Sequence, residues 1–130
     1  PGWESLMGFQ FENLVLQNRS ELHKLLHLDP NEIVNDNPYF QRQTKDQKGC
    51  QIDYMIQTRF NSLYICEVKF SKNPINVWVV EEMKEKIKAL VFPKHFSYRP
   101  VLIHVNGVDE DVIASEFFAE IINFGELINT

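Results

Sequence analysis

The 130-residue chain has little cysteine and no long apolar run. Its two cysteines, Cys50 and Cys66, are too few for a disulfide scaffold and lack the paired Cys/His spacing of a structural zinc site. The longest uncharged apolar runs, residues 77–80 and 101–105, are far shorter than the roughly 20 residues that cross a bilayer. No charged-then-apolar leader opens the chain. These absences predict a cytoplasmic protein with no membrane contact, in which both cysteines are free thiols.

The chain also lacks a glycine-rich phosphate-binding loop, so any ATPase activity belongs to another part of a longer protein. It opens with Pro1 and enters a helical pattern directly after Trp3, which predicts a single domain, residues 1–130, excised from a longer chain. The length fits one domain, not two full-sized catalytic ones. Hydrophobic residues make up 44% of the chain, and 10 Phe, 4 Tyr and 2 Trp are present, so we expect a packed core.

The formal net charge of −5 argues against a polyanionic partner, because phosphate binding depends on cations. The charge is unevenly distributed, however. Residues 39–99 hold 11 of the 13 Lys and Arg residues against 6 acidic ones, a local excess of five positive charges. This middle region could face a polyanion, or its charges could simply be solvated on helices and strands.

Periodicity and turn residues predict an α/β fold with a mixed central sheet flanked by helices, in the order α-β-β-β-α-β-α-β. Breaks at 29–31 and 35–38 place the first strand after Pro38. The predicted elements are a helix over 4–17 continued by a second segment that Ser20 caps, strands over 39–45, 50–59 and 63–70, a helix from Asn76 to Pro93, a strand over 101–105, a short acidic helix from Asp109, a strand over 120–124 and a frayed C-terminal turn.

Alternation in the predicted hairpin of strands 50–59 and 63–70 separates an apolar face from a charged one. Odd positions place Asp53, Glu67 and Lys69 on one side of the sheet. A three-residue loop at 60–62 would set Asp53 opposite Lys69. The other face is predicted to be apolar and consists of the even positions Ile52, Tyr54, Ile56, Tyr64, Cys66, Val68 and Phe70.

Two carboxylates held close together repel each other, and a hard divalent cation relieves that repulsion. Asp53, Glu67 and the backbone carbonyl of Val68 are the predicted ligands for Mg²⁺. Such a metal activates a bound water, and Lys69 could orient that water or stabilise charge on a phosphoryl group. The alternative is a cross-strand ion pair on a solvated sheet face with no further role.

The segments Ile52-Asp53 and Cys66-Glu67-Val68-Lys69, preceded by a helix that carries residues 8–12, resemble the PD-(D/E)XK, or restriction-endonuclease-like, nuclease superfamily. The resemblance covers about residues 5–125. More narrowly, residues 49–54 and 65–70 resemble the nuclease-like domain at the C-terminus of archaeal-type AAA+ ATPases. The chain departs from the written motif in having Ile52 where the motif name has proline.

The resemblance implies a restriction-endonuclease-like core and hydrolysis of DNA by a water molecule that Mg²⁺ or Mn²⁺ activates. By this resemblance Asp53 and Glu67 bind metal, Lys69 assists the attacking water and Glu12 of the first helix completes the site. Glu12 could equally be a solvated helix residue. The implied partners are DNA, including branched or damaged DNA, a AAA+ ATPase domain of the same chain, and a second copy of the protein. The alternative function is a catalytically silent module that binds nucleic acid or docks on the ATPase.

Other basic and imidazole side chains have weaker patterns. Lys72, Lys84 and Lys88 could form a phosphate track or an ordinary solvated helix face. His104 stands alone in an apolar strand and is expected to be a hydrogen-bonded core residue.

Overall fold

Alternating apolar residues in the middle of the chain build a five-stranded sheet in the order β1-β2-β3-β4-β5. The structure is a computed structural model that describes residues 2–125. The helices are α1 (Gly2–Gln17), α2 (Arg19–Leu25), α3 (Trp78–Ala89) and α4 (Glu110–Ala114), and a short 3₁₀ turn spans Pro30–Glu32. The strands are β1 (Ile33–Gln41), β2 (Cys50–Thr58), β3 (Ser62–Lys69), β4 (Ser97–His104) and β5 (Glu120–Asn123).

Strands β1, β2 and β3 are antiparallel, whereas β4 and β5 run parallel to β3. The mixed sheet with flanking helices and the predicted element order are therefore confirmed, with α2 as the second segment of the N-terminal helical region. The predicted C-terminal turn lies outside the described residues. No helix within residues 2–125 combines the length and apolarity needed to span a membrane.

The first strand was predicted wrongly: it runs over Ile33–Gln41 and contains Pro38, instead of starting after it. β1 is an edge strand, so one side of its backbone needs no ladder partner and proline is tolerated there. Its pairing with β2 is also irregular between Asn37 and Tyr39. The turn residues at 35–38 therefore lie in a bulged edge strand.

The hairpin register differs from the prediction by two residues. The observed pairs include Tyr54 with Cys66 and Gln57 with Leu63, which leaves a three-residue loop at 59–61 in place of 60–62. The loop has the predicted length, so the odd-numbered residues of β2 still pair with the odd-numbered residues of β3. The shift nevertheless brings Asp53 level with Glu67 and not with Lys69, as continuation of the observed register shows.

Both faces of the sheet are covered, which corrects the expectation of one apolar and one charged face. On one face Tyr54 and Cys66 pack with Phe11 of α1 and Leu22 of α2. On the other, Met55, Leu63 and Ile65 pack against Met83 and Leu90, in and just after α3. Charged side chains on this second face are confined to the end of the hairpin away from its loop.

Ile52 also differs from the prediction, because it packs on the second face with Met55 and Leu63. Between Asn37 and Tyr39 of β1, β2 advances from Met55 to Ile52, so β2 contains one extra residue. A bulge of this kind breaks the two-residue alternation and redirects side chains locally. It lies at Asp53 and its neighbour Tyr54.

Two smaller predictions concern buried polar groups. Cys50 and Cys66 are free thiols, and Cys66 is fully buried, as expected. His104 is a buried residue of β4 whose Nδ1 accepts a hydrogen bond from the N–H of Gly107 at 3.2 Å. Its predicted role as a hydrogen-bonded core histidine is confirmed.

Gln41 at the end of β1 joins three parts of the fold. Its side chain is buried, and Nε2 donates to the carbonyls of Lys48 at 2.8 Å and Ala89 at 2.6 Å. Its Oε1 accepts from the N–H of Val91 at 2.9 Å. We expect Gln41→Leu to lower the free energy of unfolding by roughly 2–4 kcal/mol, because three backbone groups lose their partner.

Urea denaturation measures this loss, and Gln43→Leu is the matched control because Gln43 is exposed in the following loop. Equal stability of Gln41→Leu and Gln43→Leu would contradict a bridging role for Gln41.

Candidate active site

The backbone ladder between β2 and β3 ends just before Asp53, and the side chain of Asp53 takes over the pairing. Its Oδ2 accepts a hydrogen bond from the N–H of Val68 at 2.8 Å. The last backbone pair is Tyr54 with Cys66. The bulge in β2 thus directs the Asp53 carboxylate towards β3, where a backbone N–H orients it.

Glu67 of β3 lies beside Asp53 and is only 3% exposed. The two carboxyl groups are close enough that each shifts the pKa of the other. Burial, followed by the contact with Asp53, raises the pKa of Glu67 to about 7. Burial is also the main reason that the pKa of Asp53 is raised. Because the two groups interact, their titrations are coupled.

The cation on Glu67 is Lys86, which the sequence analysis did not identify. Its Nζ lies 2.8 Å from Oε1 and 3.1 Å from Oε2 of Glu67. Burial alone would lower the pKa of Lys86, but the carboxylates of Glu67, Asp53 and Glu82 together more than offset this effect and the pKa is raised. One signal was available: Lys86 is three residues from Met83, at the border of the apolar stripe of α3.

Lys69 is on the same strand face as Glu67, as predicted, but its ammonium group is engaged elsewhere. Lys69 Nζ lies 3.0 Å from Oε2 of Glu82. Glu82 and Lys86 are one turn apart on α3. Two ion pairs therefore join β3 to α3, one with the lysine on β3 and one with the lysine on α3. Of the predicted trio, Asp53 and Glu67 converge, whereas Lys69 pairs with α3.

Glu12 of α1 lines the same cavity as Asp53 and contributes to the raised pKa of Asp53. Glu12 and Asp53 border an open cavity of about 640 Å³. The charged residues that line it are Glu12, Lys48, Asp53, Glu85 and Lys86. Glu12 therefore lies beside Asp53, half-buried at the border of the cavity.

The predicted phosphate-track lysines are dispersed. Lys72 lies over the ring of Trp3 at 4.5 Å, and Lys84 pairs with Glu81 at 3.8 Å. Lys88 borders a second cavity of about 290 Å³, which shares Lys48 with the larger one. Only Lys88 of the three is placed beside the candidate site.

The acids supply oxygen donors, the ligand type that hard divalent cations prefer, and Mg²⁺ in proteins is commonly held by only one or two carboxylates. Asp53 and Glu67 meet that requirement. Among the described residues, no group of three or more His, Cys, Asp or Glu side chains is arranged as a complete metal centre. The donor chemistry of the pair fits Mg²⁺ or Mn²⁺ as a partly hydrated ion.

No protein-family model matches the sequence, and a search of curated proteins gives no significant match. The structure is similar to that of a repair endonuclease from Pyrococcus abyssi, with a TM-score of 0.52 and 14% sequence identity. The similarity covers 85% of this chain and 43% of the other, so this chain matches less than half of that protein. At this level of identity the similarity establishes a shared fold, and it confirms the predicted α/β architecture.

The titration of Glu67 gives a test in the absence of metal. Its pKa is about 7 in the folded protein against an ordinary value of 4.5, so the folded state binds the proton more tightly than the unfolded state. This group therefore makes the free energy of unfolding fall as pH rises between those two values. Glu67→Gln has no such titration, so its stability relative to wild type should increase from about pH 5 to about pH 8.

Urea denaturation in EDTA at both pH values measures the difference, and Glu82→Gln is the control because Glu82 is exposed on α3. A stability difference between wild type and Glu67→Gln that does not change with pH would show that Glu67 titrates normally.

Proposed function

We propose that this domain hydrolyses phosphodiester bonds in DNA, with Mg²⁺ or Mn²⁺ held by Asp53 and Glu67. The observation that carries the proposal is the close approach of these two carboxyl groups, with Asp53 lining an open cavity and Glu67 buried behind it. Placing them together costs stability, since burial and mutual repulsion both oppose their ionised forms. Such arrangements are concentrated at functional sites.

Each residue of the cluster has a distinct part in holding the ion. Asp53 and Glu67 would bind it directly, and the N–H of Val68 keeps Asp53 in place. The carbonyl of Val68 points to the same side of β3 as that N–H, which fits its predicted role as a ligand. Glu12 contacts Asp53 and would complete the site. When bound, the metal lowers the pKa of a coordinated water and neutralises charge on a phosphoryl oxygen.

The cavity has room for a phosphodiester, and Lys48 lies at its border. Lys88 lines the neighbouring cavity and extends the positive charge beyond the acids. The sequence motif would give the lysine that assists the attacking water to Lys69, but Lys69 is paired with Glu82 at 3.0 Å and does not line the cavity. The structural neighbour's title describes a repair endonuclease, and on that basis we propose branched or damaged DNA as substrate.

The wider setting is also a proposal. We infer from the sequence resemblance that the domain is attached to a AAA+ ATPase in the cytoplasm and acts as a monomer or homodimer. The second candidate function is a catalytically silent module that docks on this ATPase. The exposed apolar side chains Trp3, Leu6 and Phe9 of α1 favour this second candidate.

Cleavage and metal binding test the proposal together. Supercoiled plasmid and a branched duplex are incubated with the 130-residue chain in Mg²⁺, Mn²⁺ or EDTA. We expect metal-dependent cleavage that Asp53→Asn lowers by at least about a thousandfold, because a metal ligand is lost. Mn²⁺ should raise the melting temperature of wild type and not of Asp53→Asn.

Asp111→Asn is the matched control, since Asp111 is an exposed aspartate of α4 that lines neither of these cavities. Intact DNA in every lane, with no shift of the wild-type melting temperature in either metal, would reject the nuclease in favour of the docking module.

A further inference from the structure

Helix α3 provides a lysine at the carboxylate pair that the sequence motif does not contain. The ammonium group of Lys86 contacts both oxygens of Glu67, at 2.8 and 3.1 Å. Its side chain is 30% exposed, so it reaches the buried carboxylate from the cavity that it also lines. Lys86 is therefore connected both to the proposed metal ligand and to the space in which a phosphate would bind.

Lys69, the lysine of the motif, has a different environment. Its ammonium group is paired with Glu82 at 3.0 Å, and both side chains are at least one-third exposed. The residues that line the cavity include Lys86 and do not include Lys69. Lys69 would have to break its ion pair with Glu82 to reach the cavity. Lys86 already lines the cavity and contacts Glu67.

The negative charges of Glu12, Asp53 and Glu67 explain why a lysine is needed beside Glu67. Glu12 and Glu67 both influence the pKa of Asp53, and Lys86 lies at hydrogen-bonding distance from Glu67. A divalent ion and an ammonium group would compete for the same carboxylate oxygens. With Glu67 holding the ion, the flexible side chain of Lys86 would be free at the wall of the cavity, where it could bind an anion.

Building on the proposed hydrolysis, we propose that Lys86, and not Lys69, is the lysine of this active site: it neutralises Glu67 without metal and contacts the scissile phosphate when the metal is bound. Lys86 keeps its protons throughout and contributes charge alone. In the hydrolysis the water oxygen bonds to phosphorus while the bond from phosphorus to the leaving sugar oxygen breaks. The proton lost by the water and the proton gained by the leaving oxygen are exchanged with solvent.

Two measurements on the same variants test this inference: Mn²⁺ binding by calorimetry, and single-turnover cleavage of a labelled DNA duplex at saturating Mn²⁺. In Lys86→Met we expect Mn²⁺ to bind roughly tenfold more tightly at about pH 8, because a competing charge is gone. Cleavage should nevertheless fall by at least about a hundredfold. A residue with a merely structural role would not produce tighter metal binding together with slower cleavage.

The control is Lys84→Met on the same helix, which removes an exposed lysine and should change neither quantity. Lys86→Gln retains a hydrogen-bond donor to Glu67 and repeats the test if Lys86→Met folds poorly. Lys86→Arg, which keeps the charge, should recover part of the cleavage. Lys69→Met should lose less cleavage than Lys86→Met.

Three outcomes would overturn the role of Lys86 while leaving the nuclease in place: wild-type cleavage by both Lys86→Met and Lys86→Gln, weaker Mn²⁺ binding alongside lost cleavage, or a greater loss in Lys69→Met. Failure of the nuclease proposal is distinguishable, because the wild-type protein would then neither bind Mn²⁺ nor cleave DNA.

Discussion

The contact between the carboxyl groups of Asp53 and Glu67 is the interaction on which this structure's candidate function depends. It exists because β2 contains an extra residue at this point and its backbone ladder with β3 stops at Tyr54 and Cys66. The Asp53 side chain then pairs with the N–H of Val68, which a regular ladder would satisfy by backbone. The bulge in β2 that ends the backbone pairing with β3 thus also brings Asp53 and Glu67 together.

The surrounding fold holds this irregular point from both sides of the sheet. On one side α3 supplies Lys86 to Glu67. On the other, Tyr54, the neighbour of Asp53, donates a hydrogen bond to Asp36 of β1 at 2.7 Å and lies 2.6 Å from His23 of α2. Arg19 pairs with the same Asp36 at 3.2 Å. A buried pair of acids disfavours folding. The contacts to α3, β1 and α2 stabilise the folded arrangement around this pair.

Local patterns predicted the strand elements that carry the acids, but not their long-range partners. Alternation identified Asp53 and Glu67 because side chains on one strand face recur every second residue. The same rule could not give the register, since loops of 59–61 and 60–62 have the same length and preserve the same face. The position of β1 was missed because its tolerance of Pro38 depends on being at the sheet edge, a property of the whole topology. Lys86 was missed because only the packing of α3 on β3 brings it to Glu67.

The central claim is that the two acids form a divalent cation site which Lys86 occupies until the metal binds. A crystal structure of the chain with Mn²⁺, with anomalous differences collected at the manganese edge, tests it most directly. The account predicts an anomalous peak between the carboxylates of Asp53 and Glu67, with the ammonium group of Lys86 displaced from Glu67 into the cavity. Absence of a peak at this pair, with Lys86 still bound to Glu67, would contradict it.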